Sequence, residues 1–429
     1  MRAHPEMEAA VTPAVPSTPS KPAKRASRVG SIDSARGAAM LFVCLAHFAN
    51  AYHFTSGADE SGGYIVLVGL LASPTFVTVS GFVAGFLAVT RSASFPQLRE
   101  KLIDRGVFLL LVGHAVLALT GLLTSRGFVA AYRVGYITDV VGFAVILGPW
   151  LVTTLPARSR LLLAAVIFAG SWAAVFMWMP TGVGAIEKQY LIGAPNPADW
   201  SSGYFPLIPW FAVYLVGTTI GQRLGMHYLA KNPIKGHQFI AKVGVASLGF
   251  AIFIKGSVLI IKLAVPGLAS AHPALVFSMS EYQKFPPGIV YLTFFGGAGM
   301  LLVSGVLEMV RRGIQPFLLN QLRQLGLASL FVYVLQFYLY AVLLRSLKLP
   351  YSPFWPLLFF VSIVVLTLAA RVWNRYESNR FLTVGIGPYL AYRARRKKER
   401  LSRDASSETP GMRDSAIGRG TVMEGRGLA

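Results

Sequence analysis

Apolar segments near the ~20 residues that a helix needs to cross the hydrocarbon core recur along this 429-residue chain. They lie at 35–54, 64–90, 102–123, 134–155, 160–179, 205–224, 239–265, 286–310, 325–345 and 353–373. A soluble fold has no way to hide so many runs of this length. The pattern predicts an all-α, polytopic membrane bundle of about ten transmembrane helices, because only helices and closed barrels satisfy their own backbone hydrogen bonds in lipid. Composition agrees: 54% of residues are hydrophobic and 14% charged, with a mean hydropathy of +0.56, outside the balance of soluble domains.

The formal charge is +22, from 40 Lys+Arg against 18 Asp+Glu. Its distribution excludes nucleic acid as the natural partner, because the cations gather in the tails and in alternate loops. Those loops hold Arg91, Arg99, Lys101 and Arg105; Arg158 and Arg160; Arg223, Lys231 and Lys235; and Arg311, Arg312 and Arg323. The first opposite loop, "TSGADESGG", holds none. This positive-inside pattern puts both termini in the cytoplasm. Residues 1–29 read as a disordered basic tail, 30–390 as one membrane domain, and 391–429 as a second disordered tail whose "YRARRKKERLSRD" lies near anionic headgroups. The expected location is multi-pass in a bacterial inner membrane. A homo-oligomer is compatible with the sequence. The single cysteine, Cys44, excludes an intrachain disulfide and any multi-cysteine metal site.

Within the first segment, "SIDSARGAAMLFVCLAHF" carries Asp33, Arg36 and His47 where lipid favours none of them. Arg36 and His47 are eleven positions apart, close to a whole number of turns, so they share one face with an axial separation of roughly 16 Å. Asp33 meets Arg36 one turn away. An N-terminal cap at Asp33 and a snorkelling Arg36 fit the same positions. His47 is deeper, and an ionisable residue at depth faces a cavity or a partner. Such a face suits a donor with a phosphate head at the arginine and an acyl thioester reaching the histidine.

These residues also resemble a family. "RVGSIDSARGAAMLFVCLAHF" is similar to the opening motif of heparan-alpha-glucosaminide N-acetyltransferase catalytic-domain proteins and of the wider transmembrane acyltransferase superfamily, through Arg28, Asp33, Arg36 and Gly37. "SPTFVTVSGFVAGF", "YFPLIPWFAVYLVGTTIG", "YQKFPPG" and "LGLASLFVYVLQFYL" resemble further elements in the family's order. In the last of these, Gln336 stands where relatives often carry histidine. The glucosaminide acetyltransferases proper often carry asparagine near the end of the first helix and take their histidine from the following loop. That leaves His53 as a rival to His47.

The resemblance implies an integral-membrane acyltransferase that uses acetyl-CoA as acyl donor, without a metal, and modifies a sugar or glycan acceptor at the non-cytoplasmic face. His47, with Asp33, is the expected catalytic set. Arg36 and Arg105 are the expected donor-binding residues, and His53, Trp210 and Lys284 the expected acceptor side. His114 reads as a satisfied core histidine, and Asp139 and Lys255 as a buried ion pair. A transporter and a structural or sensing membrane protein are the alternatives, since both also use buried charge.

Overall fold

The computed structural model describes residues 30–56, 63–124, 127–193, 205–265, 267, 276, 278–350, 352–375 and 386–407. In chain order the helices are α1 (Gly30–Ser56), α2 (Gly63–Leu70), α3 (Ala72–Thr90), α4 (Phe95–Phe108), α5 (His114–Ala118), α6 (Phe128–Tyr132), α7 (Ile137–Thr154) and α8 (Ala157–Met177). They continue with α9 (Val183–Leu191), α10 (Leu207–Leu229), α11 (Pro233–Ala264), α12 (Ile289–Arg312), α13 (Pro316–Leu327), α14 (Ser329–Phe337), α15 (Trp355–Arg375) and α16 (Ile386–Ser407). Two widened π-type stretches, Leu109–Gly113 and Tyr338–Leu344, interrupt the long apolar runs. The fold is an all-α membrane bundle, and no strand occurs among the described residues.

Eight of the described helical stretches are long and apolar enough to cross a membrane, and the bent pair Pro316–Leu327 with Ser329–Leu344 makes a ninth. The remaining predicted span, 205–224, does form a helix, α10, but it is not among them. Its second half carries Thr218, Thr219, Gln222 and Arg223. Polar residues are tolerable there because α10 lies inside the bundle against α3, α7, α8 and α11, so neighbouring helices, not lipid, surround it.

Glycine sets how closely the inner helices meet. Lipid tails give apolar helices no reason to prefer one another, so association depends on close backbone approach at small residues. Gly81 and Gly85 on α3 face Gly217 and Gly221 on α10, each pair four residues apart. A Cβ on Gly85 would lie 1.9 Å from the Thr218 carbonyl oxygen, and one on Gly221 1.9 Å from that of Phe82. The same device joins α1 to α13. A Cβ on Gly37 would lie 1.7 Å from the Leu322 oxygen and one on Gly326 1.8 Å from the Asp33 oxygen. Gly37 and Gly326 both fall in family-like motifs, and each has a packing reason to be glycine.

The chain bends by 81° between α13 and α14. α13 lies along the start of α1, and α14 then turns to run beside the deeper part of α1. Arg36 reaches Ser329 and His47 reaches Gln336, so contacts advance together along both helices and α1 and α14 run in the same sense.

Three sequence readings change. Asp139 and Lys255 are not a pair: Asp139 bonds His114, while Lys255 bonds Glu281 on the loop before α12. The reason is the length of α11, which starts at Pro233. Lys255 is 22 residues on, roughly 33 Å along the axis and so near the far edge of a ~30 Å hydrocarbon core rather than in its middle. Arg160, read as a loop cation, is fully buried and donates to Thr218, at 2.7 Å, and to Gln222. The segment read as an irregular tail from 391 is helical as far as 407.

Gly221→Ala places a methyl against backbone that no side-chain rotation relieves. It should cost at least about 2 kcal/mol, seen as a lower thermal midpoint in a fixed detergent. Gly249→Ala, with nothing within 4 Å of its Cβ, should be neutral or gain up to ~1 kcal/mol from helix propensity. Equal midpoints in the two variants would contradict the packing argument.

Candidate active site

Asp33 lies in the first turn of α1, buried at 4% exposure, where the N-terminal end of the helix dipole favours its charge. One turn on, Arg36 holds it by a long ion pair of 3.8 Å. The same guanidinium donates to Ser329 Oγ at 2.7 Å. Because Ser329 is the first residue after the break in the α13–α14 pair, Arg36 pins the elbow.

Beside this elbow is an internal cavity of about 50 Å³, lined in part by Arg36, Ser80, Arg105, Thr138, Ser329 and Tyr333. The sequence placed Arg36 and Arg105 together on donor binding, and they do share this cavity. Ser80 belongs to the second-helix motif. Thr138 was not singled out in the sequence, and its Oγ1 is buried with no hydrogen-bond partner among the described residues. The space takes a few waters and is far below the ~300–1,000 Å³ of small-molecule pockets.

Tyr333 lines the cavity and also packs against His47, whose ring is T-shaped to Tyr333 at 5.8 Å and to Phe337 at 5.4 Å between ring centres. Gln336 Nε2 donates to His47 Nδ1 at 3.0 Å and to the Tyr333 carbonyl at 3.0 Å. The elements of "LGLASLFVYVLQFYL" thus have separate local tasks: Gly326 admits α1, Ser329 receives Arg36, Tyr333 lines the cavity and Gln336 holds the histidine.

Toward the far end, the turn before α12 carries Lys284. Gly288 N–H bonds the Gln283 carbonyl at 2.8 Å, and Trp172 Nε1 bonds the Pro287 carbonyl at 3.1 Å, which ties the turn to α8. Lys284 Nζ lies 5.0 Å from the centre of the Phe205 ring and 5.2 Å from that of Phe285. Burial pushes this ammonium down to about 8. Trp210 is fully buried, tilted on Phe205 at 5.7 Å, and its Nε1 has no acceptor among the described residues. It is therefore not an interfacial anchor with its N–H in water. His53 falls on the last turn of α1, and its side chain lies outside the described residues.

The sequence model of one family, described as heparan-alpha-glucosaminide N-acetyltransferase, catalytic, matches residues 28–255, just over half of the chain. The chain belongs to this family. No curated protein matches it. Membership makes the protein an integral-membrane acetyltransferase by family. The acetyltransferase match covers Asp33, Arg36, His47, Ser80, Arg105 and Trp210 and stops before Lys284, Ser329, Tyr333 and Gln336. The partners of Arg36 and His47 on α14 therefore come from outside the matched stretch.

A second buried polar group flanks the site. His114 donates from Nε2 to the Tyr132 carbonyl, 2.7 Å, and faces Asp139 Oδ2 with Nδ1 at 2.9 Å. Asp139 Oδ2 also accepts the Tyr136 N–H at 2.8 Å, which caps α7. With Nε2 committed as donor, one shared proton lies between Nδ1 and Oδ2, so the pair carries no net charge. This is the satisfied core histidine that the sequence predicted, with a partner that it did not.

Breaking such a pair costs more than deleting it. Asp139→Leu should destabilise this acetyltransferase-family protein by about 3 kcal/mol or more. His114→Leu combined with Asp139→Leu should recover part of that loss in the same thermal unfolding measurement.

Proposed function

We propose that the protein transfers an acetyl group from acetyl-CoA, entering from the cytoplasmic side, to a carbohydrate acceptor at the non-cytoplasmic face. The observation that carries this reading is the single wall formed by α1 and α14. It holds Arg36 on an internal cavity that Arg105 of α4 also lines and, farther along the same two helices, an imidazole held by an amide.

Arg36 and Arg105 would receive the donor's phosphates, since guanidinium forks match phosphate oxygens. Asp33 is the positioning residue that restrains Arg36. The pantetheine arm would then follow the cavity toward Tyr333. The cavity is too small for that arm as it stands, so donor entry requires the elbow at Ser329 or the Tyr333 ring to give way.

At the acyl carbon the bookkeeping is simple. The acceptor oxygen or nitrogen bonds to the carbonyl carbon, the C–S bond breaks, and CoA leaves as thiolate. His47 takes the acceptor's proton and returns it to the sulfur. Lys284 and the Trp210 N–H supply donors at the acceptor side, where developing negative charge or acceptor oxygens need them. His53 remains the rival base.

Arg36→Ala should raise the KM for acetyl-CoA about 10- to 100-fold with a smaller change in kcat, as expected for one lost charge-assisted contact. His47→Ala should lower kcat by about 10²–10⁴ with donor affinity kept. Steady-state kinetics with an amino-sugar acceptor in proteoliposomes reads both, and full activity in His47→Ala would transfer the base to another residue. Lys284 is charged below about 8 and neutral above it. Activity should therefore fall as pH rises through that value, and Lys284→Gln should flatten this limb of the profile.

A further inference from the structure

Gln336 is fully buried, and its neighbours fix which way its resting amide faces. The Tyr333 carbonyl, 3.0 Å away, can only accept, so the atom facing it must be the amide nitrogen. The second hydrogen of that NH2 group points at His47 Nδ1, also 3.0 Å away. His47 Nδ1 must then present a lone pair, and the ring proton sits on Nε2. A proton on Nδ1 would set N–H against N–H.

We infer that Gln336 is the positioning residue that fixes the tautomer of His47, holding the resting ring as a donor at Nε2. This rests on the reading of His47 as the residue that handles the acceptor's proton. Nδ1 is engaged by Gln336, and His47 is part-buried rather than sealed, so Nε2 is the nitrogen left for a substrate. In the resting setting that nitrogen carries a hydrogen and has no lone pair with which to take a proton.

A turned-over amide would give the side chain a second setting. Gln336 Oε1 is buried with no partner among the described residues. An amide turned over about its last torsion brings Oε1 to the ring, where it accepts a hydrogen from Nδ1. The ring's single proton then belongs to Nδ1, and Nε2 has the free lone pair. The turn gives up the bond to the Tyr333 carbonyl, so the resting setting is favoured until a ligand offers the amide N–H groups another acceptor. A carbonyl of the donor arm is such a group. No atom is gained or lost: one proton leaves Nε2 and one enters at Nδ1 by way of water.

The test is nitrogen-15 NMR of the full chain, labelled at histidine and held in lipid nanodiscs, with His47→Asn used to assign the His47 signals. The wild-type spectrum should show Nε2 protonated and Nδ1 as an unprotonated acceptor. Gln336→Glu should reverse that assignment at a pH where the carboxyl carbon-13 shift of the introduced side chain shows it ionised, since a carboxylate only accepts. Gln336→Met should bring the two tautomers to within roughly tenfold of each other, the scale of one lost hydrogen bond. A wild-type ring protonated at Nδ1, or the same tautomer in wild type and in Gln336→Glu with its carboxyl ionised, overturns the inference, and the wild-type spectrum decides even if a variant does not fold. The readout needs no turnover. A protein with the expected spectrum and no acetyl transfer would sink the enzymatic reading and leave this one standing.

Discussion

In a bilayer core no water is present to satisfy a stray polar group, and this bundle answers that constraint by giving its buried charges partners from distant parts of the chain. Arg36 bonds Ser329, His47 bonds Gln336, His114 bonds Asp139 and Arg160 bonds Thr218. Each joins two different helices. The polar residues that make the candidate site are therefore also what fixes the mutual rotation of α1, α14, α7 and α10, and site and scaffold are not separable.

Close approach makes those bonds reachable. Glycines at the α1–α13 and α3–α10 crossings bring backbone against backbone, so that a short side chain such as Ser329 or Thr218 meets an arginine on its neighbour. The 81° elbow then divides the work. α13 lies against the entrance of α1 and α14 against its depth, and one broken helix serves both the arginine and the histidine.

The closed state has a chemical consequence. A cavity of about 50 Å³ lined by Tyr333 is too small for a donor arm, and the amide that we infer fixes the His47 tautomer keeps Nε2 protonated. Both features sit on α14 within one turn, at Tyr333 and Gln336. A movement of α14 that admitted a donor would alter the ring and the amide together, coupling access to readiness through one element.

The amino-acid sequence alone determined the membrane class, the all-α architecture and the shared face of Arg36 and His47, while the family resemblance paired Arg36 with Arg105 as expected donor-binding residues. These follow from hydropathy, from 3.6-residue periodicity and from motif order, all of which are local along the chain. Tertiary structure decided which charge meets which partner: Asp139 takes His114 and not Lys255, Arg160 is buried and not in a loop, and Gln336 bonds the histidine on α1. The physical reason is that periodicity fixes where a side chain points around its own helix, while its partner depends on helix length, on the elbow at 328–329 and on glycine-set distances between segments that, for Arg36 and Ser329, are 293 residues apart.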